Sequence, residues 1–336
     1  MINRLLFYVL SALYGLITSC RNALYDQQIF RSRHFDRPTT LVIGNLAVGG
    51  TGKSPFVAYL VQHWPFQERL GILSRGYGRK TKGFRWVEST SLASEVGDEP
   101  LAYKQQMPAI SVAVCEKRVI GVEKLQNDVD TLFLDDAFQH RALEADVNIV
   151  CTTFSKPFFV DNLMPLGRLR ESVDGLKRAH AIVVNRCPDF VSEEQKAPFK
   201  QFNLPVFFTK VVYGVSVGKH AKNITQWHLF AGIADPWPFF KEAKKLGNIL
   251  EQETYADHYA FQEADYQYWE HLAGTLEESA GILTTHKDYV RMEEQLQNYP
   301  ALNSRLCYLP MQMEFLDQET EFWSWLASQV PLNLKK

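Results

Sequence analysis

The sequence predicts an α/β fold, a doubly wound parallel sheet followed by a smaller second α/β lobe. Short apolar runs at 40–43, 70–73, 131–134, 147–151 and 181–184 alternate with helical patterns over about the first 210 residues. A glycine-rich turn sits between the first of these runs and an apolar helical face. Two later β-rich stretches, 206–217 and 306–315, flank a further mixed region near 226–304. The two are expected to pair as a two-stranded link between lobes.

The 336 residues can bury a substantial core, and 46% hydrophobic with 22% charged residues excludes a disordered, collagen-like or disulfide-scaffold chain. Lys and Arg total 36 against 38 Asp and Glu, a net charge of −2, which argues against a general nucleic-acid binder. The five cysteines are scattered and form no C-x-x-C pair, so reduced thiols are the simpler reading. No internal repeat or low-complexity stretch is visible.

Taken in order, residues 5–20 form an uncharged apolar run between Arg4 and Arg21. At ~1.5 Å per residue it is about 24 Å long, short of the ~30 Å hydrocarbon core. It suits a membrane anchor that lies in the interface, dips into one leaflet or spans a thinned bilayer. A signal peptide and a buried core helix are the competing readings. Arg21, Arg31, Arg33 and Arg37 outnumber Asp26 and Asp36 beyond it, a flank suited to anionic lipid on the cytoplasmic side.

Residues 40–43 are a strand. Gly44 to Ser54 then make a turn that carries Gly49, Gly50, Thr51, Gly52, Lys53 and Ser54, and an apolar helix follows. Strand, glycine turn and helix form a phosphate loop: glycines let backbone N–H groups converge on phosphate oxygens, and the helix start adds its positive dipole end. Lys53 would reach the β/γ-phosphates and the Ser54 hydroxyl would ligate Mg²⁺. The strict pattern wants glycine at 47, where this chain has Ala47. A P-loop NTPase-like sheet is the fold that follows.

The run at 131–134 ends in Asp135 and Asp136, the arrangement that holds Mg²⁺ opposite a phosphate loop, with either acid as the direct ligand. Asp98 and Glu99 stand in a turn before a helical pattern, where Asp98 could equally be a helix cap. Residues 73–80 form a basic, glycine-broken loop with Arg75, Tyr77 and Arg79, suited to an anionic ligand. Residues 165–171 bring Arg168 and Arg170.

Together, the phosphate loop, the SRGYGRK and GDEP segments, the Asp-Asp-x-Phe-Gln-His box and the P-x-G-x-L-R-E box resemble the tetraacyldisaccharide 4′-kinase (lipid A 4′-kinase) family. The resemblance continues through 232–236, Asp257-His258 and 284–288, nearly the whole chain. It implies an ATP- and Mg²⁺-dependent lipid kinase at the cytoplasmic face of a bacterial inner membrane. Such an enzyme phosphorylates the 4′ hydroxyl of an acylated glucosamine disaccharide 1-phosphate. Its partners would be this lipid A precursor and inner-membrane phospholipid, with no nucleic acid and no obligate protein partner. Lys53 matches the family's phosphate-loop lysine, Asp98 the base toward the hydroxyl, and Arg170 an arginine near the transferring group. His258 matches a second-lobe histidine that supports the base. Ser54, Glu99, Asp135 and Asp136 match the metal groups, and Arg75, Tyr77, Arg79, Gln139 and His140 are the candidate substrate contacts.

The implied division is a membrane-associating helix in 1–30, a P-loop kinase domain in 31–210, a smaller lobe in 226–304, and a helix in 316–336 returning to the first lobe. Two departures stand out. Ala137 replaces the usual glycine of the Asp-Asp box, which would strain the turn by ~1 kcal/mol if φ is positive there. His286 stands where a glutamate is common. A switch ATPase without a lipid acceptor and a soluble small-molecule kinase are the rival classes. A GTPase is disfavoured because Asn185, Arg186 and Asp189 lack the lysine and spacing of a guanine-reading segment.

Overall fold

The computed structural model describes residues 2–221, 224–257 and 259–330, with the side chains of residues 2–4 left aside. The chain opens with α1 (Ile2–Asp26), β1 (Thr39–Gly44), α2 (Lys53–Gln62), β2 (Leu70–Ser74), β3 (Arg85–Trp86), α3 (Ala93–Val96) and α4 (Asp98–Gln106). It continues through β4 (Ser111–Val114), α5 (Arg118–Leu125), β5 (Thr131–Asp135), β6 (Val147–Thr153), β7 (Ala181–Asn185), α6 (Glu193–Lys200) and β8 (Val206–Tyr213). The second region holds β9 (Gln226–Ala231), α7 (Trp237–Ala243), β10 (Asn248–Thr254), α8 (Glu263–Thr275), β11 (Ala280–Thr285), α9 (His286–Leu296), α10 (Pro300–Arg305) and β12 (Leu306–Leu309). β13 (Met311–Phe315) and α11 (Glu319–Gln329) complete it.

The larger sheet has nine strands in the order β13-β8-β7-β6-β1-β5-β2-β4-β3. All neighbours are parallel except the outer pairs β13·β8 and β3·β4. β1 lies between β5 and β6 and is buried along its whole length, as a continuous Thr-Thr-Leu-Val-Ile run requires of a parallel strand covered on both faces. The five apolar runs read from sequence are β1, β2, β5, β6 and β7. The smaller sheet is parallel throughout, in the order β10-β9-β11-β12.

The expected two-stranded link takes a different form. Leu306 to Phe315 is split at Pro310: β12 joins the smaller sheet, while β13 pairs antiparallel with β8 at the edge of the larger one. The pairing is therefore an extension of the nine-stranded sheet, and the chain passes between sheets within a few residues.

Helices cover both faces of the larger sheet. On one, Phe322 of α11 packs among Phe56, Phe207 and Phe315, with ring centroids 5.7, 5.1 and 4.8 Å away. This aromatic contact is what brings the final helix back. On the other face Leu73, Val122, Leu125, Leu134 and Phe138 form the core beneath α5.

α1 uses a narrow polar stripe to dock. Ser11 Oγ donates to the Leu163 carbonyl at 2.8 Å, Tyr14 Oη to the Arg170 carbonyl at 2.8 Å, and Asn22 Nδ2 to Glu171 at 2.7 Å. These positions recur at helical spacing on one side. Leu5, Leu6, Val9, Leu13, Leu16 and Ile17 are exposed. No helix among the described residues is long and apolar enough to cross a membrane. α1 carries one bare apolar face.

Candidate active site

The carboxyl ends of β1, β5 and β7 open onto a cleft of about 1640 Å³ that also reaches the smaller sheet. Gly49, Gly50, Thr51, Gly52, Lys53 and Ser54 all line it. Gly52 caps α2 with φ 80°, a left-handed conformation, and a Cβ there would lie 2.7 Å from Asn185 Nδ2. Asn185 Nδ2 donates to the Thr51 carbonyl at 2.6 Å, and Asn45 Nδ2 to Thr51 Oγ1 at 2.9 Å, so the loop is held from β1 and β7. Ala47 needs no left-handed backbone: it is buried and bridged to Leu169. The Val48 amide donates to the Arg168 carbonyl at 2.8 Å and the Arg170 amide to the Leu46 carbonyl at 2.7 Å. The departure at 47 is thus absorbed into the seam that carries Arg170 to the loop.

Two cations meet one acid at the centre. Lys53 Nζ lies 3.5 Å from Asp136, and the Arg170 guanidinium donates to both Asp136 oxygens at 2.9 to 3.0 Å. Burial pushes the Asp136 carboxyl up, but Lys53 and Arg170 outweigh it and hold the group below its ordinary range. Asp135 is different. It is fully buried, and burial followed by Glu99 raises its carboxyl to about 7 against the pull of Lys53. Tyr103 Oη donates to Asp135 Oδ2 at 3.2 Å, while Oδ1 is buried without a partner. The left-handed residue in this turn is Asp136, φ 50°, and Ala137 is outside that region, so the strain expected at 137 does not arise.

A second acid pair opens α4. Asp98 is buried, and its Oδ1 accepts from the Glu99 amide at 2.9 Å. Glu99 reaches the cleft and binds Lys287 of α9. Burial raises the Glu99 carboxyl most, but Lys287 and Lys53 together outweigh it and the net shift is downward. Gly97, φ 94°, precedes the pair; a Cβ there would meet the Gly76 backbone at 3.1 Å, which is how the 73–80 loop packs against this turn.

The expected substrate contacts separate. Arg75, Tyr77, Gln139 and His140 line the cleft. Gln139 Nε2 donates to the Asn45 carbonyl at 2.7 Å and Glu171 at 3.0 Å, bracing the Arg170 segment. His140 Nε2 accepts from the Arg118 amide, and burial with Arg118, Arg21 and Arg75 nearby holds its ring down to about 4, neutral at physiological pH. Arg79 points away: it pairs with Glu116 at 2.8 Å and donates to the Gly83 carbonyl at 2.7 Å, locking the loop rather than facing the cleft. His258 lies outside the described residues; Asp257 beside it lines the cleft.

Sequence reasoning passed over several residues. Arg118 starts α5 without any motif, yet it is buried in the cleft wall and donates to the Asp135 carbonyl at 3.1 Å. Tyr103 and Arg291 were likewise unremarked. The available signal was the spacing of Lys287 and Arg291, i and i+4 at a helix start, facing adjacent acids elsewhere in the chain.

A family model described as Tetraacyldisaccharide-1-P 4′-kinase matches residues 3–331. The tetraacyldisaccharide 4′-kinase of Flavobacterium johnsoniae is 35% identical over 347 aligned residues, covering 99% of this chain and 98% of that protein. Its counterpart in Flavobacterium psychrophilum is 37% identical, with 92% of each covered. LpxK from Aquifex aeolicus, solved in complex with ATP, is similar in structure at a TM-score of 0.78 and 28% identity, over 98% of this chain and 100% of that one.

Proposed function

This chain belongs to the tetraacyldisaccharide 4′-kinase family, and from that premise we propose how its cleft carries out the reaction. The reaction is transfer of the γ-phosphoryl group of ATP to the 4′ hydroxyl of a tetraacylated glucosamine disaccharide 1-phosphate, a step of lipid A biosynthesis. The observation that carries the assignment of roles is the convergence of Lys53 and Arg170 on Asp136 at the mouth of the phosphate loop.

Phosphoryl transfer asks mainly for positioning and neutralisation of charge. Backbone N–H groups of 49–54 and the start of α2 receive the nucleotide phosphates. Lys53 and Arg170, each on a short tether to Asp136, can swing to the non-bridging oxygens as charge spreads over them. Asp98 accepts the proton of the 4′ hydroxyl and aims its oxygen at phosphorus. Arg75 and Arg118 supply positive charge on the α5 side of the cleft, where an anionic lipid would enter.

Mg²⁺ fits the residues present. Asp135 Oδ1 is a buried acceptor with no partner, and the Ser54 side chain lies in the same cleft. No group of three or more His, Cys, Asp or Glu side chains suited to a metal occurs among the described residues. That suits an ion held by one or two carboxylates, a hydroxyl and the nucleotide itself. When bound, the ion would neutralise phosphate charge and keep Asp135 ionised.

The bare face of α1 sits on inner-membrane phospholipid at the cytoplasmic side, with Tyr14, Thr18 and Arg21 of the same helix lining the cleft. A lipid acceptor could then reach the acids without leaving the interface. The test is transfer of label from γ-labelled ATP to the acylated disaccharide 1-phosphate in detergent micelles. Label on the lipid that vanishes in Lys53→Ala is the expected result. ATP turnover with unlabelled lipid would contradict the reading.

A further inference from the structure

β7 ends at Asn185, and the backbone of the next residue, Arg186, is left-handed at φ 58°. Side chains rarely adopt that conformation, and where they do, function often holds them there. The flanking residues fix it: the Asn185 carbonyl accepts from the Phe154 amide at 2.9 Å, and the Cys187 amide donates to the Thr209 carbonyl at 3.0 Å. The Arg186 side chain then lies over the phosphate loop. Among the described residues, a Cβ built on Gly50 would meet one atom within 4 Å, Arg186 Nη2 at 3.2 Å. A Cβ on Gly49 would meet nothing, so the loop is open beside the guanidinium. From the other lobe, Asp235 in the turn between β9 and α7 accepts from Arg186 Nη1 at 3.1 Å. Both side chains line the cleft, and both keep part of their surface in solvent.

We infer that Arg186 is a further phosphate-binding residue and that Asp235 is its counter-ion only until ATP arrives: the phosphate chain displaces Asp235 from the guanidinium and releases this tie between the lobes. This rests on the reading that loop 49–54 receives the nucleotide phosphates. A guanidinium offers phosphate the same fork of donors that it offers a carboxylate. A partly solvated pair of single charges is weak. The phosphate chain brings several charges to a guanidinium that already stands on the loop, so it wins the exchange. Only the Arg186 side chain has to turn. The loop keeps its anchors, because Asn185 and Asn45 hold Thr51 without Arg186. The nucleotide site thus stays within the larger lobe, while the smaller lobe supplies the acid that ATP must displace.

Equilibrium binding of ATP and of adenosine, with Mg²⁺ present and the full chain in micelles, tests this. The unaltered chain is compared with Arg186→Met, Asp235→Asn and the double variant. Arg186→Met is expected to weaken ATP binding on the order of tenfold. Asp235→Asn removes the competitor and should tighten ATP binding by about two- to fivefold. A carboxylate also repels ATP at a distance, so the double variant decides: the tightening should disappear once Arg186 is gone. Adenosine has no phosphate and should bind each protein alike. An ion pair that merely joins the lobes predicts the opposite sign, and weaker or unchanged ATP binding in Asp235→Asn would overturn the inference. Unchanged ATP binding in Arg186→Met, or tightening of equal size with and without Arg186, would do the same. A loss of adenosine in Arg186→Met as large as that of ATP would place Arg186 on the base and overturn the phosphate assignment. Normal ATP binding in Lys53→Ala would instead remove the reading beneath it. If Arg186→Met does not fold, Arg186→Lys takes its place, with a smaller loss expected because an ammonium meets phosphate as a point charge. Undiminished ATP affinity in Arg186→Lys with no tightening in Asp235→Asn then overturns the inference.

Discussion

The cleft contains two pairs of adjacent acids, and they are built in opposite ways. Asp135 ends β5 and Asp136 follows it, and among the described residues the side chains bonded to them belong to the larger sheet's region: Lys53 and Arg170 at Asp136, Tyr103 at Asp135. Asp98 and Glu99 start α4 in that same region, but the cations in direct ion pairs with them, Arg291 and Lys287, come from α9 in the other. The first pair is assembled by one lobe alone. The second is complete only while α9 lies along α4. On the roles proposed above, the nucleotide takes a site preassembled within one lobe and the acceptor a site that depends on the fit between two. Substrate entry and lobe closure can then be coupled without disturbing the phosphate loop.

The sharpest way to break the contrast is at the first pair. Lys53→Ala should lower kcat/KM for label transfer by on the order of 10³-fold or more and weaken ATP binding, because it removes charge from both ground and transition states. Asp98→Asn should cost about 10²- to 10⁴-fold in kcat and leave ATP binding near normal. Gly52→Ala tests the preassembly itself. With φ 80° and Asn185 atoms within 3.0 Å of a new Cβ, it should destabilise the chain by about 1–3 kcal/mol and raise ATP KM.

A smaller effect is expected where the lobes meet at the far end of α4. His286 Nδ1 lies 2.9 Å from Gln106 Nε2, its ring packs on Tyr308, and burial holds its pKa down to about 4. The unfolded chain binds the proton near pH 6.5, so stability should fall as pH drops from about 6.5 toward 4. His286→Gln should remove on the order of 1 kcal/mol of that dependence in thermal unfolding followed against pH. The smallest change in stability belongs to α1. Leu13→Glu with Ile17→Glu alters only exposed side chains, so unfolding free energy should move by no more than about 0.5 kcal/mol. Sedimentation with anionic phospholipid vesicles should nonetheless lose most of the bound protein.

Much of the first site was legible because its residues are consecutive. A phosphate loop is a local pattern of strand, glycines, lysine and hydroxyl, and an apolar strand ending in Asp135-Asp136 is another; each carries its own physical reason. The strands and α11 were legible for the same cause, through periodicity. The second site resisted because its chemistry is split by nearly two hundred residues. Asp98 and Glu99 read equally as a cap, and nothing near Lys287 or Arg291 says which acids they meet. Arg118 was missed because burial, not motif, gives it significance. Arg79 misled because a basic loop looks the same whether its arginines face a ligand or, as here, a neighbouring glutamate. The left-handed turn lies one residue before the position where a missing glycine drew attention, since an aspartate tolerates that conformation.

The most direct test measures equilibrium ATP binding and single-turnover label transfer on the same preparations of Lys53→Ala and Asp98→Asn. The account predicts that Lys53→Ala loses both, while Asp98→Asn binds ATP as the unaltered chain does and transfers no label to the lipid. Loss of ATP binding in Asp98→Asn, or transfer at the normal rate, would contradict the division of the cleft into a nucleotide site and an acceptor site.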